Sequence, residues 1–306
     1  MTLFQKKETV VQNIAYMAIM AAINVIFVLL TAVLPPLMFL IVFVLPLTST
    51  TVTLLCKKRF FPIYFVVTVA LCLLATSGIY IFDTFFYVIP SLITGFIFGI
   101  LVEKNVPSIY IILISTVIQY ALTYLTFFIV GKIFIEINFI DALLSIFGLS
   151  EFQFKDVFAH VFIYALASIQ TVFTYVFIKF VIRRIGFELN LSIRNKFVPL
   201  IVTFVSVVCS VIFLFFYVSL TYVFILLTLP LLIYEIASIV IDRNKLFCIL
   251  IIVSVFVEVG IFSLFYTRFP HPTGIIMLTP LYVFISCIYF ANILFMKKTN
   301  EDKINN

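Results

Sequence analysis

Long apolar runs, separated by short polar or charged segments, follow one another along the whole chain. Each run is about as long as the roughly 20 residues that a helix needs to cross the hydrocarbon core of a bilayer. The runs are unbroken and do not alternate with polar residues at every second position, so they predict helices and not the strands of a membrane barrel. The pattern predicts ten membrane spans, at 12–34, 37–56, 60–79, 84–103, 106–132, 157–182, 197–217, 219–241, 246–267 and 274–296.

Basic residues cluster at alternate ends of these predicted spans. When the amino terminus is placed inside the cell, all of the 19 Lys and Arg residues except Lys132, Lys155 and Arg268 fall in segments on the inner side. This is the asymmetry that the positive-inside rule describes. A wrong number of spans would disrupt it, so the charges favour both the count and a cytoplasmic position for both termini.

The composition narrows the class of protein further. Hydrophobic residues make up 65% of the 306-residue chain and charged residues 10%, whereas a soluble domain is nearer to half apolar and a quarter charged. We therefore predict an all-α fold, a polytopic transmembrane helix bundle whose surroundings are the lipid bilayer. The net charge of +6 resides at span ends and does not indicate a nucleic-acid partner. The five cysteines lack the spacing of a zinc site, and we expect neither a metal nor a cofactor.

A basic segment at 183–196 marks the best internal boundary. It is rich in Arg and Lys and has Glu188 as its one acidic residue. Six predicted spans precede it and four follow it. We expect a six-span membrane domain at 1–190, a four-span membrane extension at 191–298 and a polar tail at 299–306.

The first predicted span carries a stripe of small residues. Ala18 and Ala22 form a small-xxx-small pair, which lets a second helix backbone approach closely in lipid. Asn24 is a lone polar side chain about half-way along the same span. Two interpretations are open: the stripe packs within the chain's own bundle, or it is a docking face for a separate membrane subunit.

A set of polar side chains lies in the outer half or the middle of spans four to six, beneath a long external connection at 131–156. Gln119 and Thr123 stand one helical turn apart and share a face of the fifth span. These side chains either line a pocket that opens to the outside or form hydrogen bonds that hold the helices together. The candidates for substrate binding are Asp83, Tyr87, Gln119, Thr123, His160 and Tyr164.

Two acidic residues lie deep within predicted spans. Ionisable groups in lipid are costly, so Glu258 in the ninth span and Glu235 in the eighth are candidates for a function. The structural interpretation is that each pairs with a Tyr, Ser or Thr of a neighbouring helix. No P-loop, GxSxG or HExxH motif accompanies them, so we expect no enzyme, no catalytic residues and no coupling of ATP by this chain itself.

The second span contains an unusual run of hydroxyl side chains from Thr48 to Thr53, two residues after Pro46. Hydroxyls in a helix can bond to the backbone of their own helix. We therefore expect this run to serve packing next to a proline kink.

Residues 1 to about 190 resemble the substrate-binding membrane component of energy-coupling factor (ECF) vitamin transporters. The likeness lies in the six spans, the inner amino terminus, the Ala18-xxx-Ala22 helix, the short Leu34-Pro35-Pro36 turn and the long loop before the sixth span. Over its whole length the chain is similar to the YybS-like family of predicted bacterial membrane proteins, which looks like such a component with added carboxy-terminal spans.

This resemblance implies a bacterial plasma-membrane protein that works with partners. In the ECF family the small-residue motif of the first helix docks a transmembrane coupling subunit, and the substrate lies under the external loops. Carried over, Ala18 and Ala22 would dock a coupling subunit that acts with separate ATPases. The residues near a small-molecule ligand would be Asp83, Tyr87, Gln119, Thr123, His160 and Tyr164.

Three hypotheses about function follow. The leading one is a substrate-capture subunit of an ECF-type transporter for a small solute or vitamin. The second is a membrane scaffold or assembly protein without a ligand, and a packed, dry centre would favour it. The third is a membrane enzyme that acts on lipid, and a lipid-sized groove that reaches Glu258 would favour that one.

Overall fold

The computed structural model describes residues 5–34, 38–76, 84–130, 155–185, 193–241, 245–265 and 279–305. Every regular element in these ranges is helical. The α-helices are α1 (Val10–Val33), α2 (Met38–Leu55), α3 (Phe61–Ala75), α4 (Ile89–Glu103), α5 (Ser108–Val130), α6 (Lys155–Ile185), α7 (Ile193–Phe216), α8 (Val218–Ile241), α9 (Lys245–Phe265) and α10 (Thr279–Asn305). A 3₁₀ turn (Lys58–Phe60) precedes α3, and a π-helical turn (Thr84–Val88) precedes α4.

Eight of the described helices are long and apolar enough to cross a membrane; α2 contains a shorter apolar helix, Val44–Leu55. The prediction of a helical, membrane-embedded protein is therefore confirmed. The count of ten spans stays a prediction, because it rests in part on residues outside the described ranges.

The start of α1 shows how the local sequence sets a helix end. The Thr9 hydroxyl accepts a hydrogen bond from the backbone N–H of Gln12 at 3.2 Å, and the Gln12 side chain accepts one from the backbone N–H of Thr9 at 3.4 Å. This capping box satisfies backbone donors that would otherwise lack partners. It places the start of α1 two residues before the predicted span.

The chain divides into two compact units, Met1–Asn190 and Leu191–Asn306. In the first unit, α1 packs against α2 and α3, α2 packs closely along α4, and α5 packs against both α4 and α6. In the second unit, α7 pairs with α8, and α10 contacts α7, α8 and α9. The units thus have separate cores, one centred on α1–α4 and one to which α8 and α10 contribute along their length.

The closest helix pair, α2 and α4, explains the run of hydroxyl residues. The Ser49 hydroxyl donates to the carbonyl oxygen of Leu92 at 2.6 Å, and that of Thr50 donates to the carbonyl of Gly95 at 2.9 Å. A Cβ atom on Gly95 would lie 2.5 Å from the carbonyl oxygen of Pro46, so the two backbones meet only because position 95 has no side chain. The run serves packing, as expected, and it also bridges to a second helix.

Asn24, the lone polar residue of α1, belongs to a buried network. Its amide donates to the Tyr64 hydroxyl at 2.8 Å, and its carbonyl oxygen accepts from the Thr48 hydroxyl at 2.7 Å. The three side chains come from α1, α2 and α3. Because buried polar atoms without partners are costly, this network fixes how the three helices pack against one another.

Candidate functional site

Six of the polar and aromatic side chains on α5 and α6 gather into one group, here called the α5–α6 cluster. The cluster lies in the carboxy-terminal half of α5 and the amino-terminal half of α6, at the end of these helices from which residues 131–154 depart. The residues of α5 follow helical spacing and so share one face. The members are Gln119, Tyr120, Thr123, Tyr124, His160 and Tyr164.

Four rings form the aromatic part of the cluster. The Tyr120 hydroxyl and Nδ1 of His160 lie 2.8 Å apart, within hydrogen-bond distance. Tyr120 meets Tyr164 edge-on, with centroids 5.5 Å apart, and Tyr124 lies 4.9 Å from the His160 ring. Tyr120 and His160 are only partly buried, and Tyr124 is exposed. The ring cluster therefore has one accessible side and one side within the bundle.

The Tyr164 hydroxyl marks the buried side of the cluster. Tyr164 is 7% exposed, and its hydroxyl has no hydrogen-bond partner among the described residues. A buried hydroxyl without a partner costs about 1–3 kcal/mol. The cluster thus presents ring surfaces on its accessible side and holds one unpartnered hydroxyl on its buried side.

The deeper polar side chains satisfy one another. The Thr94 hydroxyl donates to the Gln119 carbonyl oxygen at 2.5 Å, and the Gln119 amide donates to Thr123 at 3.2 Å. Ser91 lies about one helical turn before Thr94 on α4, and its hydroxyl accepts a hydrogen bond from the Gln170 side-chain amide at 2.8 Å. These bonds tie α4, α5 and α6 together.

The space beside Thr94 and Gln170 is closed. The small cavity bounded by Pro46, Thr94, Gly95, Phe98, Gln170, Thr171 and Thr174 does not admit a water molecule. At this depth the polar groups connect helices, and they do not line a pocket. Among the described residues of the α5–α6 cluster, the accessible surface belongs to its rings Tyr120, Tyr124 and His160.

Of the six predicted substrate-binding residues, Gln119 and Thr123 contact each other on α5, and His160 and Tyr164 each contact Tyr120 of the same helix. Tyr87 lies on the π-helical turn before α4 and packs against the core of α1–α4. Asp83 lies outside the described residues. The sequence interpretation missed Tyr124, although its spacing from Tyr120 indicates a shared helix face. It also missed Thr94 and Ser91, whose partners are 25 and 79 residues away in sequence.

The two alanines of α1 lie on the surface of the described structure. Ala18 and Ala22 are both exposed, and Ile14, Ile19 and Ile26 around them are exposed as well. Tyr16, Met17 and Ala21 form the opposite, buried face of α1. Among the described residues, Ala18 and Ala22 thus make no buried contact within the chain's own bundle, and docking of a separate subunit stays a prediction.

The two membrane acids occupy different surroundings. Glu235 of α8 is fully buried; its Oε2 accepts a hydrogen bond from the Ser286 hydroxyl of α10 at 2.8 Å, and its Oε1 has no partner among the described residues. Glu258 of α9 is 4% exposed, and its Oε1 has no partner among the described residues. Glu235 fits the structural interpretation of an acid paired with a hydroxyl. Among the described residues, no group of three or more His, Cys, Asp or Glu could hold a metal ion.

Comparison of the chain with protein-family models, with curated proteins and with solved structures gave no match.

Proposed function

We propose that the protein is a substrate-capture subunit of an ECF-type transporter, with a small solute or vitamin as its ligand. The observation that carries the proposal is the unpartnered Tyr164 hydroxyl, which lies at the buried side of a ring cluster that is accessible from its other side. A polar group and several aromatic rings around one point are typical of small-molecule sites.

In this proposal the ligand is flat and carries a hydrogen-bonding atom. Its face or edge packs against Tyr120 and Tyr124, and its polar atom bonds to the Tyr164 hydroxyl. His160 holds Tyr120 in place through the contact between the Tyr120 hydroxyl and His160 Nδ1. Gln119 and Thr123 position α5 through their own hydrogen bonds and form the floor of the site.

The exposed face of α1 supports the second half of the proposal. Small residues let helix backbones approach closely in lipid, where van der Waals packing and interhelical hydrogen bonds drive association. We propose that a membrane coupling subunit docks on Ala18 and Ala22, and that separate ATPases supply the energy. The protein would then lie in the plasma membrane of a bacterium with both termini in the cytoplasm.

A second candidate function has its own support. The closed, mutually bonded layer around Gln119 and Gln170 is the packed, dry centre that a scaffold or assembly protein without a ligand would have. The two candidates differ in what the ring cluster does, because a scaffold gains nothing from the unpartnered Tyr164 hydroxyl.

The test is to purify wild type and Tyr164→Phe in mild detergent and to compare the small molecules that each carries by mass spectrometry. We expect one solute to be retained by the wild type and reduced several-fold in Tyr164→Phe, because one hydrogen bond is lost while the ring remains. Tyr110→Phe is the matched control, since Tyr110 lies on α5, the other helix of the cluster, and is exposed outside the cluster.

The solute found in this way is then added back to empty protein. Saturable binding that Tyr164→Phe weakens and Tyr110→Phe leaves unchanged supports the capture function. Identical small-molecule content in all three proteins, with no saturable binding, would favour the scaffold.

A further inference from the structure

A groove runs along the surface of the second unit between α7 and α10. It has a volume of about 600 Å³, within the range of about 300–1,000 Å³ that is usual for small-molecule sites. Its walls are mostly apolar, with Leu200, Ile201 and Phe204 on α7 facing Val283, Cys287 and Phe290 on α10. The residues of this α7–α10 groove belong to the second unit, whereas those of the α5–α6 cluster belong to the first.

The length of the groove matches one leaflet of a membrane. Its residues on α7 run from Phe197 to Val207, which is about 15 Å at the helical rise of about 1.5 Å per residue. The hydrocarbon core of a bilayer is about 30 Å thick. A single hydrocarbon chain of one leaflet can therefore lie along it.

Two hydroxyl side chains interrupt the apolar walls. Thr203 is 1% exposed, and its hydroxyl has no hydrogen-bond partner among the described residues. Ser286 also lines the groove, and its hydroxyl proton is committed to Glu235 Oε2 at 2.8 Å behind the wall. The groove thus offers a free donor at Thr203 and an acceptor oxygen at Ser286. A plain hydrocarbon chain would use neither.

The lack of charged side chains in the wall restricts the kind of polar group that the groove can bind. None of the described residues that line the groove is charged. An anionic headgroup would lose its hydration there without gaining a counter-ion, which is costly. A neutral group that both donates and accepts a hydrogen bond matches the two hydroxyls, and an alcohol is the simplest such group.

We propose that the α7–α10 groove binds a long-chain alcohol of the membrane. Its hydrocarbon chain lies along the apolar wall between Leu200 and Phe290. Its hydroxyl accepts a hydrogen bond from Thr203 and donates one to Ser286. Glu235 holds the Ser286 hydroxyl in the rotamer that presents its lone pairs to the groove.

The absence of Trp from the sequence provides the test. Phe290→Trp places a single fluorophore in the groove, and Phe197→Trp places one at its end. Each variant is reconstituted in phosphatidylcholine vesicles and titrated with brominated octadecanol, an equally brominated octadecane or an equally brominated octadecanoic acid. Bromine quenches the Trp when the chain occupies the groove. Phe256→Trp is the control. Phe256 lies on α9 outside the groove and is 73% exposed, so a Trp there reports quenching by bromine in the bulk lipid.

We expect the alcohol to quench a groove Trp in a saturable way. Quenching of the Trp at position 256 should rise linearly with the alcohol and show no saturation. Thr203→Val, made in the groove-Trp background, should weaken binding of the alcohol by about threefold to tenfold, the equivalent of one hydrogen bond. Thr203→Ser should restore most of it, which separates the loss of the hydroxyl from a general loss of structure.

Three results would overturn the inference. Equal quenching by the alcohol and the alkane, unchanged by Thr203→Val, would make the groove an ordinary lipid-facing surface. Tighter binding of the acid than of the alcohol would show that the polar group is anionic. Linear quenching at both Phe290→Trp and Phe197→Trp would show that no specific site exists.

Discussion

At the scale of single residues, Tyr164 is the side chain on which the proposed site depends. Its ring packs edge-on against Tyr120, and its hydroxyl is buried without a partner among the described residues. Tyr120 is the useful comparison, because its hydroxyl lies 2.8 Å from His160 Nδ1. The rings of the two tyrosines are in contact, yet we expect removal of the two hydroxyls to change the free energy of unfolding in opposite directions.

Tyr164→Phe should raise the free energy of unfolding by about 1 kcal/mol, because it removes a buried polar atom that gains no bond in the empty protein. Tyr120→Phe should lower it by about 0.6 kcal/mol, the average for a hydrogen bond between membrane helices. Thermal unfolding in detergent measures both changes in stability. Circular dichroism follows the unfolding, because the chain has no Trp whose fluorescence could report it. A clear loss of stability in Tyr164→Phe would mean that its hydroxyl has a structural partner.

At the scale of helices, the contact between α2 and α4 is the most demanding in the first unit. Gly95 and Gly99 of α4 face Pro46, Ser49 and Thr53 of α2, and a Cβ on Gly99 would lie 2.7 Å from that of Thr53. The hydroxyls of Ser49 and Thr50 can reach carbonyls of α4 only at this separation. The small residues and the hydroxyl run are thus two parts of one contact.

Gly95→Ala should lower the free energy of unfolding by about 1–3 kcal/mol, since the added methyl group meets backbone that cannot easily move. Gly260→Ala is the matched control, because nothing lies within 4 Å of a Cβ at that position. We expect the control to change stability by no more than about 0.5–1 kcal/mol, in the stabilising direction that helix propensity predicts. Equal effects of the two substitutions would show that α2 and α4 do not pack as described.

The sequence predicts the helices well and their contacts poorly, for a physical reason. A run of about 20 apolar residues can only be a helix in lipid, because every backbone polar group must be satisfied within the segment. In a soluble protein the polar face of each helix would also reveal its orientation. In lipid both faces are apolar, so the pattern did not show that Ala18 and Ala22 are exposed while Ala21 is buried.

The candidate site shows the same limit. The pair Gln119 and Thr123 was predictable, because helical spacing places residues four apart on one face. The bonds from Gln119 to Thr94 and from Gln170 to Ser91 join different helices, and no local pattern encodes which helices meet. The same is true of Glu235 and Ser286, which are 51 residues apart.

At the scale of the whole molecule, two compact units carry two different kinds of surface. The first unit, Met1–Asn190, holds the α5–α6 cluster and the exposed alanine face of α1. The second unit, Leu191–Asn306, holds the α7–α10 groove and both membrane acids. This division fits a protein in which one unit takes a solute and docks a coupling subunit while the other contacts a component of the bilayer.

The docking of a coupling subunit on α1 is tested most directly by affinity purification from mild detergent, with all captured proteins identified by mass spectrometry. Wild type is compared with Ala18→Leu/Ala22→Leu. The matched control is Ala70→Leu/Ala121→Leu, which makes the same change at two exposed alanines of α3 and α5. The control shows whether bulk on any lipid-facing surface has an effect.

We expect wild type and the control to capture a membrane coupling subunit together with its ATPases, and Ala18→Leu/Ala22→Leu to lose them while remaining folded. Capture of no ATPase by the wild type, or equal capture by all three proteins, would contradict this expectation.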